Sequence, residues 1–454
     1  MAKHIRCGHL FDGVSDDAKT DQTIVVDGGT ITYAGNGAVA PKPGPRDEIV
    51  DASKYFVMPG MTDLHTHLSY GNAMCEEDID IYASVELRAL RGVINAQRVL
   101  MAGVTSMGDP GGSARVQTSV RNAINAGMFP GPRINCSGPY VTSRQGLTDY
   151  YPTWFGAPST SIGALVKNMD EAIELIRSQI KDGVDFVKFA MDGRHVNDKG
   201  ELIAAFSLAE TKRMVDECHR LGKKTVMHAR GREATLYCAK AGADLIFHAS
   251  WADAECIDAI VKHKSIVCPT LTLLYQNMTV TQPTDPLYHK VRPDLGSKEW
   301  EAAIVSLNRI REAGIPMVTG SEAGFALTPY GEWHWREVEI FHKFLGFTPA
   351  AAIRAATSAS AAFLNDGERL GAIKAGNHAD FIVFDGNPLK NVSLLLEKAR
   401  LKDVYLAGEP VRIELPPLAS KGVSDFSYKM WQDMYTQLRV KALGNKIRHI
   451  QAAE

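Results

Sequence analysis

Between residues 56 and 370 a short apolar run followed by an amphipathic helical pattern recurs eight times. The runs are FVMPGMTD, GVTSMGD, RINCSGPYV, DFVKFAM, KTVMHAR, ADLIFHAS, SIVCPTL and PMVTGSEAG. They are rich in Val and Ile and show little apolar–polar alternation, as in strands buried on both faces. Between them lie helical patterns such as DEAIELIRSQIKDG at 170–183 and ETKRMVDECHRLGKK at 210–224, with Gly183 and Gly222 as stop signals. Eight strand–helix units in a row predict an α/β fold, a (β/α)8 TIM barrel with insertions.

The flanks read differently. HIRCGHLFDG, TIVVDGGTITYAG and DEIVDASKYFVM alternate apolar and polar positions, and DGG at 27–29 is a hairpin signal. The same texture returns in GAIKAGNHADFIVFDGNPL and ARLKDVYLAGEPV. The expectation is a small β-sandwich built from residues 1–57 and 371–424, bracketing a barrel over 58–370. A basic helix over 425–454 would then pack on the barrel or on another subunit. The stretch 271–295 is long for a strand-to-helix loop and is a candidate lid.

Composition narrows the function classes. A formal net charge of -2 gives no electrostatic case for nucleic acid or an anionic membrane surface. No apolar run is long enough to span a bilayer, and MAKHIRCGHLFDG lacks a signal-peptide core. Seven cysteines are scattered without CxxC spacing. Reduced, mostly buried thiols in a cytoplasmic protein acting on a small molecule are expected.

Certain polar residues fall where a barrel enzyme keeps its chemistry. His65 and His67 form an HxH pair at the end of the first barrel strand, both on one side of it. Lys188 lies inside the apolar run DFVKFAM, where an amine must be paired, neutralised or modified. Reaction with CO2 would turn it into a carbamate able to bridge two metals. Escape of its tip to solvent is the alternative. His228 ends the fifth strand and His248 the sixth. Taken singly, each histidine reads as a satisfied core residue. Jointly, placement at the C-terminal ends of strands one, four, five and six reads as a metal site. Glu322, in VTGSEAG, is the chosen base for a catalytic water, ahead of Asp192 and of Asp109, which suits a turn. Aromatic residues in the mouth loops include Tyr150, Tyr151, Trp154, Phe155, Phe325, Tyr330, Trp333 and Trp335. They could cradle an apolar group or simply pack loops. Tyr140, Arg144, Arg230 and Trp251 are the candidate substrate contacts, with either arginine able to take a carboxylate or to pair with a local acid such as Asp149.

With these residues in place the chain resembles the amidohydrolase superfamily, in its branch of imidazolonepropionase-like enzymes, Xaa-Pro dipeptidases and ochratoxin-type amidases. VMPGMTDLHTHL, AGVTSMGDPGG, DFVKFAMDG, TVMHARGREA, ADLIFHAS, RAATSASAAFL and LGAIKAGNHADFIVFDGNPL carry the resemblance. It implies two divalent ions, zinc with manganese or cobalt as alternatives. His65 and His67 would hold one ion and His228 and His248 the other. A carboxylated Lys188 would bridge them, and Glu322 would act as both ligand and base. Glu322 stands where the family has aspartate, so its carboxylate must retract or the backbone must shift. FHAS replaces the usual EHG, and VTSRQGLTDYYPTWFG lacks the peptidases' GGH-like turn. The implied activity is hydrolysis of an aryl amide, carbamate, urea or N-acyl amino acid. An Xaa-Pro dipeptidase or cyclic amidohydrolase is the alternative, and a non-catalytic scaffold barrel is the reading of another class. A homo-oligomer is expected.

Overall fold

The computed structural model describes residues 1–285, 293–418, 429–448 and 450; for 293–295 and 445 it describes the backbone alone. Four strands open the chain: β1 (Lys3–Leu10), β2 (Lys19–Asp27), β3 (Thr30–Asn36) and β4 (Glu48–Pro59). The DGG signal makes the β2–β3 hairpin, with Gly28 at φ 54° and Gly29 at φ 78°, a region glycine enters without a steric penalty.

The parallel strands of the middle follow: β5 (Met61–Asp63), β6 (Val104–Asp109), β7 (Arg133–Cys136), β8 (Tyr140–Thr142), β9 (Gly163–Leu165) and β10 (Phe186–Ala190). A small antiparallel pair, β11 (Asp192–Val196) and β12 (Leu202–Ala204), intervenes before β13 (Lys224–Ala229), β14 (Leu245–His248) and β15 (Ile266–Cys268). β5, β6 and β7 form one parallel sheet; β15, β14, β13, β10, β8 and β9 form another. Backbone hydrogen bonds link the two groups on both sides. Asp185 N–H donates to Cys136 O at 2.8 Å. On the other side residues 316–319 bridge β15 to β5, with Val267 N to Pro316 O at 3.0 Å and Leu64 N to Thr319 O at 3.0 Å. The arrangement is α/β and TIM-barrel-like, with helices between most successive parallel strands.

The C-terminal strands β16 (Phe381–Phe384), β17 (Leu401–Leu406) and β18 (Glu409–Pro410) return to the N-terminal ones. The order β18-β17-β16-β4-β1-β2-β3 makes one seven-stranded sheet from both chain ends, with Phe381 opposite Pro59 and Phe384 opposite Phe56. Ile5, Ile24, Val57, Phe381 and Val383 form its separate apolar core.

Several expectations need correction. FVMPGMTD is not one strand: β4 ends at Pro59 in the seven-stranded sheet and β5 begins at Met61 in the barrel. Gly60 makes the switch, because its N–H pairs with Asp380 O while Met61 N–H pairs with Gly103 O. A Cβ on Gly60 would sit 2.2 Å from Thr105 Oγ1. The third run divides at Ser137–Pro139 into β7 and β8, and the eighth is a bridge at Met317 rather than a full strand. The basic C-terminal helix shrinks to Gln437–Leu443, since Trp431 and Tyr435 are buried and anchor the stretch before it. Its Trp431 Nε1–H donates to Asn95 Oδ1, and Trp333 Nε1–H donates to Tyr435 O. Residues 425–428, 449 and 451–454 of that segment lie outside the described residues. Within the candidate lid, Thr272–Val280 is a helix tied to the core: Glu337 accepts from Leu271 N and Thr272 N, each at 2.9 Å. Residues 286–292 lie outside the described residues.

Candidate functional site

The strand ends converge as their spacing implies. His65 and His67 follow β5, Lys188 is central in β10, His228 lies in β13, His248 ends β14 and Glu322 follows the eighth-strand bridge. All six are buried. His65 and His67 have ring centres 5.0 Å apart, His65 and His248 5.5 Å, and His228 and His248 4.7 Å. His65 Nε2 lies 3.8 Å from Glu322 Oε1, and His248 Nε2 lies 4.0 Å from Glu322 Oε2.

The imidazoles are presented with defined faces. His67 Nδ1–H donates to Gly111 O at 2.8 Å, which leaves Nε2 bare. Thr270 Oγ1 sits 3.0 Å from His65 Nδ1, which engages that nitrogen and turns His65 Nε2 toward Glu322. His228 faces two ways, with Nδ1 3.0 Å from His248 Nε2 and Nε2 3.1 Å from Asp192 Oδ1. Fixing one ring nitrogen to orient the other is how proteins prepare imidazole ligands. Burial pushes all four histidines down, His67 to about 3, so neutral imidazole is the favoured form.

Lys188 does not escape to solvent. Its Nζ sits 3.8 Å from the centre of the Phe247 ring and has no hydrogen-bond partner. Burial pushes it down to about 7, partly opposed by the Glu322 charge. Burial also pushes Glu322 up to about 7, while Arg230 and Lys188 draw it back. Three donors, on His65, His248 and Glu322, lie within 4.8 Å of one another, and Glu322 Oε2 has no hydrogen-bond partner. Two imidazoles and a carboxylate around one point fit a divalent metal. His248, Thr270 and Glu322 adopt left-handed backbone at φ 75°, 56° and 56°. Such strain in non-glycine residues concentrates at functional sites.

The remaining predicted contacts separate. Arg144 pairs with Asp149 at 3.3 Å and is largely exposed. Arg230 Nε lies 3.6 Å from Glu299 Oε1 without a hydrogen bond, and Ser250 Oγ–H holds that oxygen at 2.9 Å. The Tyr140 hydroxyl bonds that of Tyr70, whose ring stacks on His67 at 4.3 Å. Trp251 is partly exposed, while Trp154 and Phe155 point into solvent. Tyr330, Trp333 and Trp335 are buried packing residues. Asp109 ties the end of β6 to the segment after β5 by accepting from Leu68 N at 3.1 Å.

Sequence reasoning missed Asp63, His334 and Tyr70. Asp63 Oδ1 accepts from His65 N and Ser321 N, each at 3.0 Å, and Oδ2 accepts from Ser321 Oγ and from His334 Nδ1. Its position two residues before His65 was the available signal; His334 and Tyr70 carried none.

A TIM-barrel-like fold with convergent imidazoles, a buried lysine and a carboxylate at its strand ends defines a barrel hydrolase. The amidohydrolase family profile matches residues 56–411, and the chain belongs to that family, whose members hydrolyse C–N bonds. It is 24% identical over 430 residues to the ochratoxinase of Aspergillus niger, spanning 89% of this chain and 85% of that one. Among solved structures, a Xaa-Pro dipeptidase with bound methionine in its active site is 25% identical with TM-score 0.80, covering 90% of this chain and 100% of the other. A molinate hydrolase is 22% identical with TM-score 0.76, covering 92% and 96%, and shows likeness of fold.

Proposed function

We propose that the chain is a metal-dependent hydrolase of N-acyl amino acids or related amides, with His65, His67, His228, His248, a carboxylated Lys188 and Glu322 holding two divalent ions, zinc first. The reading includes full closure of the eight-stranded ring and folding of the seven-stranded sheet into a sandwich. The observation that carries the proposal is the meeting of four buried imidazoles, an unpartnered amine and an unpartnered carboxylate oxygen in one buried place. An amine held near neutrality is nucleophilic toward CO2, which supports the carbamate. When bound, the metals supply Lewis-acid polarisation of the scissile carbonyl and acidify water.

The chain's own residues supply the rest. Burial raises the Glu322 carboxyl above the ordinary carboxylate range, so Glu322 takes the proton from the attacking water and delivers it to the leaving nitrogen. Arg230, on the same strand end as His228, receives a substrate carboxylate. Trp251 covers the apolar part of the substrate at the rim. The likeness to an ochratoxinase and a Xaa-Pro dipeptidase supports an amide-like bond.

Chelation and reconstitution test this. Activity on N-acyl amino acids should vanish with the metal and return with zinc, manganese or cobalt. Undiminished turnover after exhaustive chelation refutes the metal role. Faster turnover of Xaa-Pro dipeptides than of N-acyl amino acids moves the assignment to a dipeptidase.

A further inference from the structure

Asp192 is a buried carboxylate beside the imidazole cluster to which the proposed chemistry gives no task. It opens β11, four residues after Lys188, and is shielded from solvent. Its two oxygens face different neighbours. Oδ2 accepts from Arg230 N at 2.8 Å and from Gly231 N at 2.7 Å, where the chain leaves β13 and enters the helix Arg232–Ala241. Gly231 suits this clamp because it has no side chain: a Cβ there would stand 3.3 Å from Asp192 Oδ2 and 2.8 Å from Leu202 Cβ. Oδ1 faces the ring of His228, 3.1 Å from Nε2. Both of these atoms are buried, and neither has a hydrogen-bond partner among the described residues. They stand at contact distance, and a small rotation of the imidazole closes a hydrogen bond between them.

The backbone keeps the two side chains together. Ala190 lies opposite His228 in the β10–β13 ladder, and Met191 N–H donates to His228 O at 2.9 Å. On the other side of the ring, His228 Nδ1 lies 3.0 Å from His248 Nε2. A neutral imidazole carries one proton, and what each nitrogen faces decides which one keeps it. A carboxylate oxygen accepts and does not donate, so the nitrogen turned toward Asp192 keeps the proton. Nδ1 is then left with the free lone pair.

We infer that Asp192 is a positioning residue: it fixes His228 as the Nε2–H tautomer, so that Nδ1 is the donor offered to a metal ion, and its second oxygen seats Arg230 beside the same centre. The inference rests on the metal-site reading above. A carboxylate behind a ligating imidazole holds its orientation and raises its basicity.

Asp192→Asn tests it. The amide keeps the shape of the side chain and one acceptor oxygen. That oxygen stays on the Arg230 and Gly231 N–H groups, since an NH2 cannot accept from them. The NH2 then faces His228 and donates to Nε2, which moves the ring proton to Nδ1 and withdraws that nitrogen as a ligand. In a competitive chelator titration, Asp192→Asn should lower zinc affinity by about 10–100-fold with unchanged circular dichroism. Side-chain nitrogen NMR of labelled histidine should place the His228 proton on Nε2 in the zinc-loaded wild type and on Nδ1 in Asp192→Asn, the signal being assigned by its loss in His228→Gln. A purely structural role for Asp192 would leave the tautomer where it was. If the variant misfolds, the wild-type tautomer decides. Wild-type zinc affinity in Asp192→Asn, or a His228 proton on Nδ1 in the loaded wild type, overturns the inference and leaves the metal-site reading standing. A wild type that takes up no zinc overturns both.

Discussion

His334 Nδ1 lies 2.7 Å from Asp63 Oδ2, and neither side chain reaches solvent. Gly331 N–H donates to His334 Nε2 at 3.0 Å, so the ring proton sits on Nδ1 and points at the carboxylate. Asp63 in turn holds the backbone of His65 and of Ser321, the residue before Glu322. The two ends of the strand array, each carrying candidate ligands, therefore share one carboxylate. His334→Ala should remove a charge-assisted bond, costing about 1.5–3 kcal/mol in urea unfolding of the metal-free protein. It should also weaken zinc by about 10–100-fold in a competitive chelator titration, as loss of ligand-orienting groups does. Unchanged zinc affinity alongside lowered stability would reduce the pair to ordinary core structure.

A second buried carboxyl sets a pH dependence of folding. Burial pushes Glu337 up to about 7, against the three donors at Leu271 and Thr272 that favour its charge. Between the ordinary value of 4.5 and about 7 the folded protein keeps a proton that the unfolded chain has released. The contribution is thus full below 4.5 and is lost as pH rises through 7. Glu337→Gln does not titrate there. The stability difference between wild type and variant should shrink by on the order of 3 kcal/mol across that interval, read from denaturant melts at a series of pH values. A difference that stays constant with pH contradicts the assignment.

The legible part of this molecule was the part governed by local periodicity. His65 and His67 share a face because a strand has period two, and His228, His248 and Lys188 stood out because polar residues interrupt apolar runs. What stayed hidden depends on contacts between distant segments. His334 gives no local sign that it will meet Asp63, 271 residues earlier. Arg144 and Arg230 looked alike as sequence; only the fold seats one against Asp149 in the open and the other beside Glu299 in the site. The C-terminal segment carries helical composition, yet burial of Trp431 and Tyr435 outweighs that weak preference and confines the helix to Gln437–Leu443.

Arg230 tests the substrate class. Its guanidinium is held near Glu299 without a hydrogen bond, so it can turn toward a carboxylate on the substrate. Arg230→Met should raise KM for N-acyl amino acids by about 10–100-fold, the equivalent of one charge-assisted pair. Amides that lack the carboxylate should keep their KM. Equal losses on both substrate types would mean that Arg230 supports the site rather than reading the substrate.

Lys188 separates a structural lysine from a modified one. Its amine has Phe247 beneath it and no hydrogen-bond partner. Lys188→Met keeps the length and removes the polar end, so the metal-free variant should unfold at equal or higher denaturant, by about 1 kcal/mol, since an unsatisfied polar group is no longer buried. The loaded enzyme should respond in the opposite direction. Without a carbamate the variant should hold fewer zinc ions per chain by elemental analysis, and its metal-induced gain in melting temperature should shrink accordingly. The smaller Lys188→Ala leaves room for a free carboxylate, and acetate should restore part of its metal content where it does nothing for Lys188→Met. Full metal occupancy in Lys188→Met would show that the amine, however buried, takes no part in holding the ions.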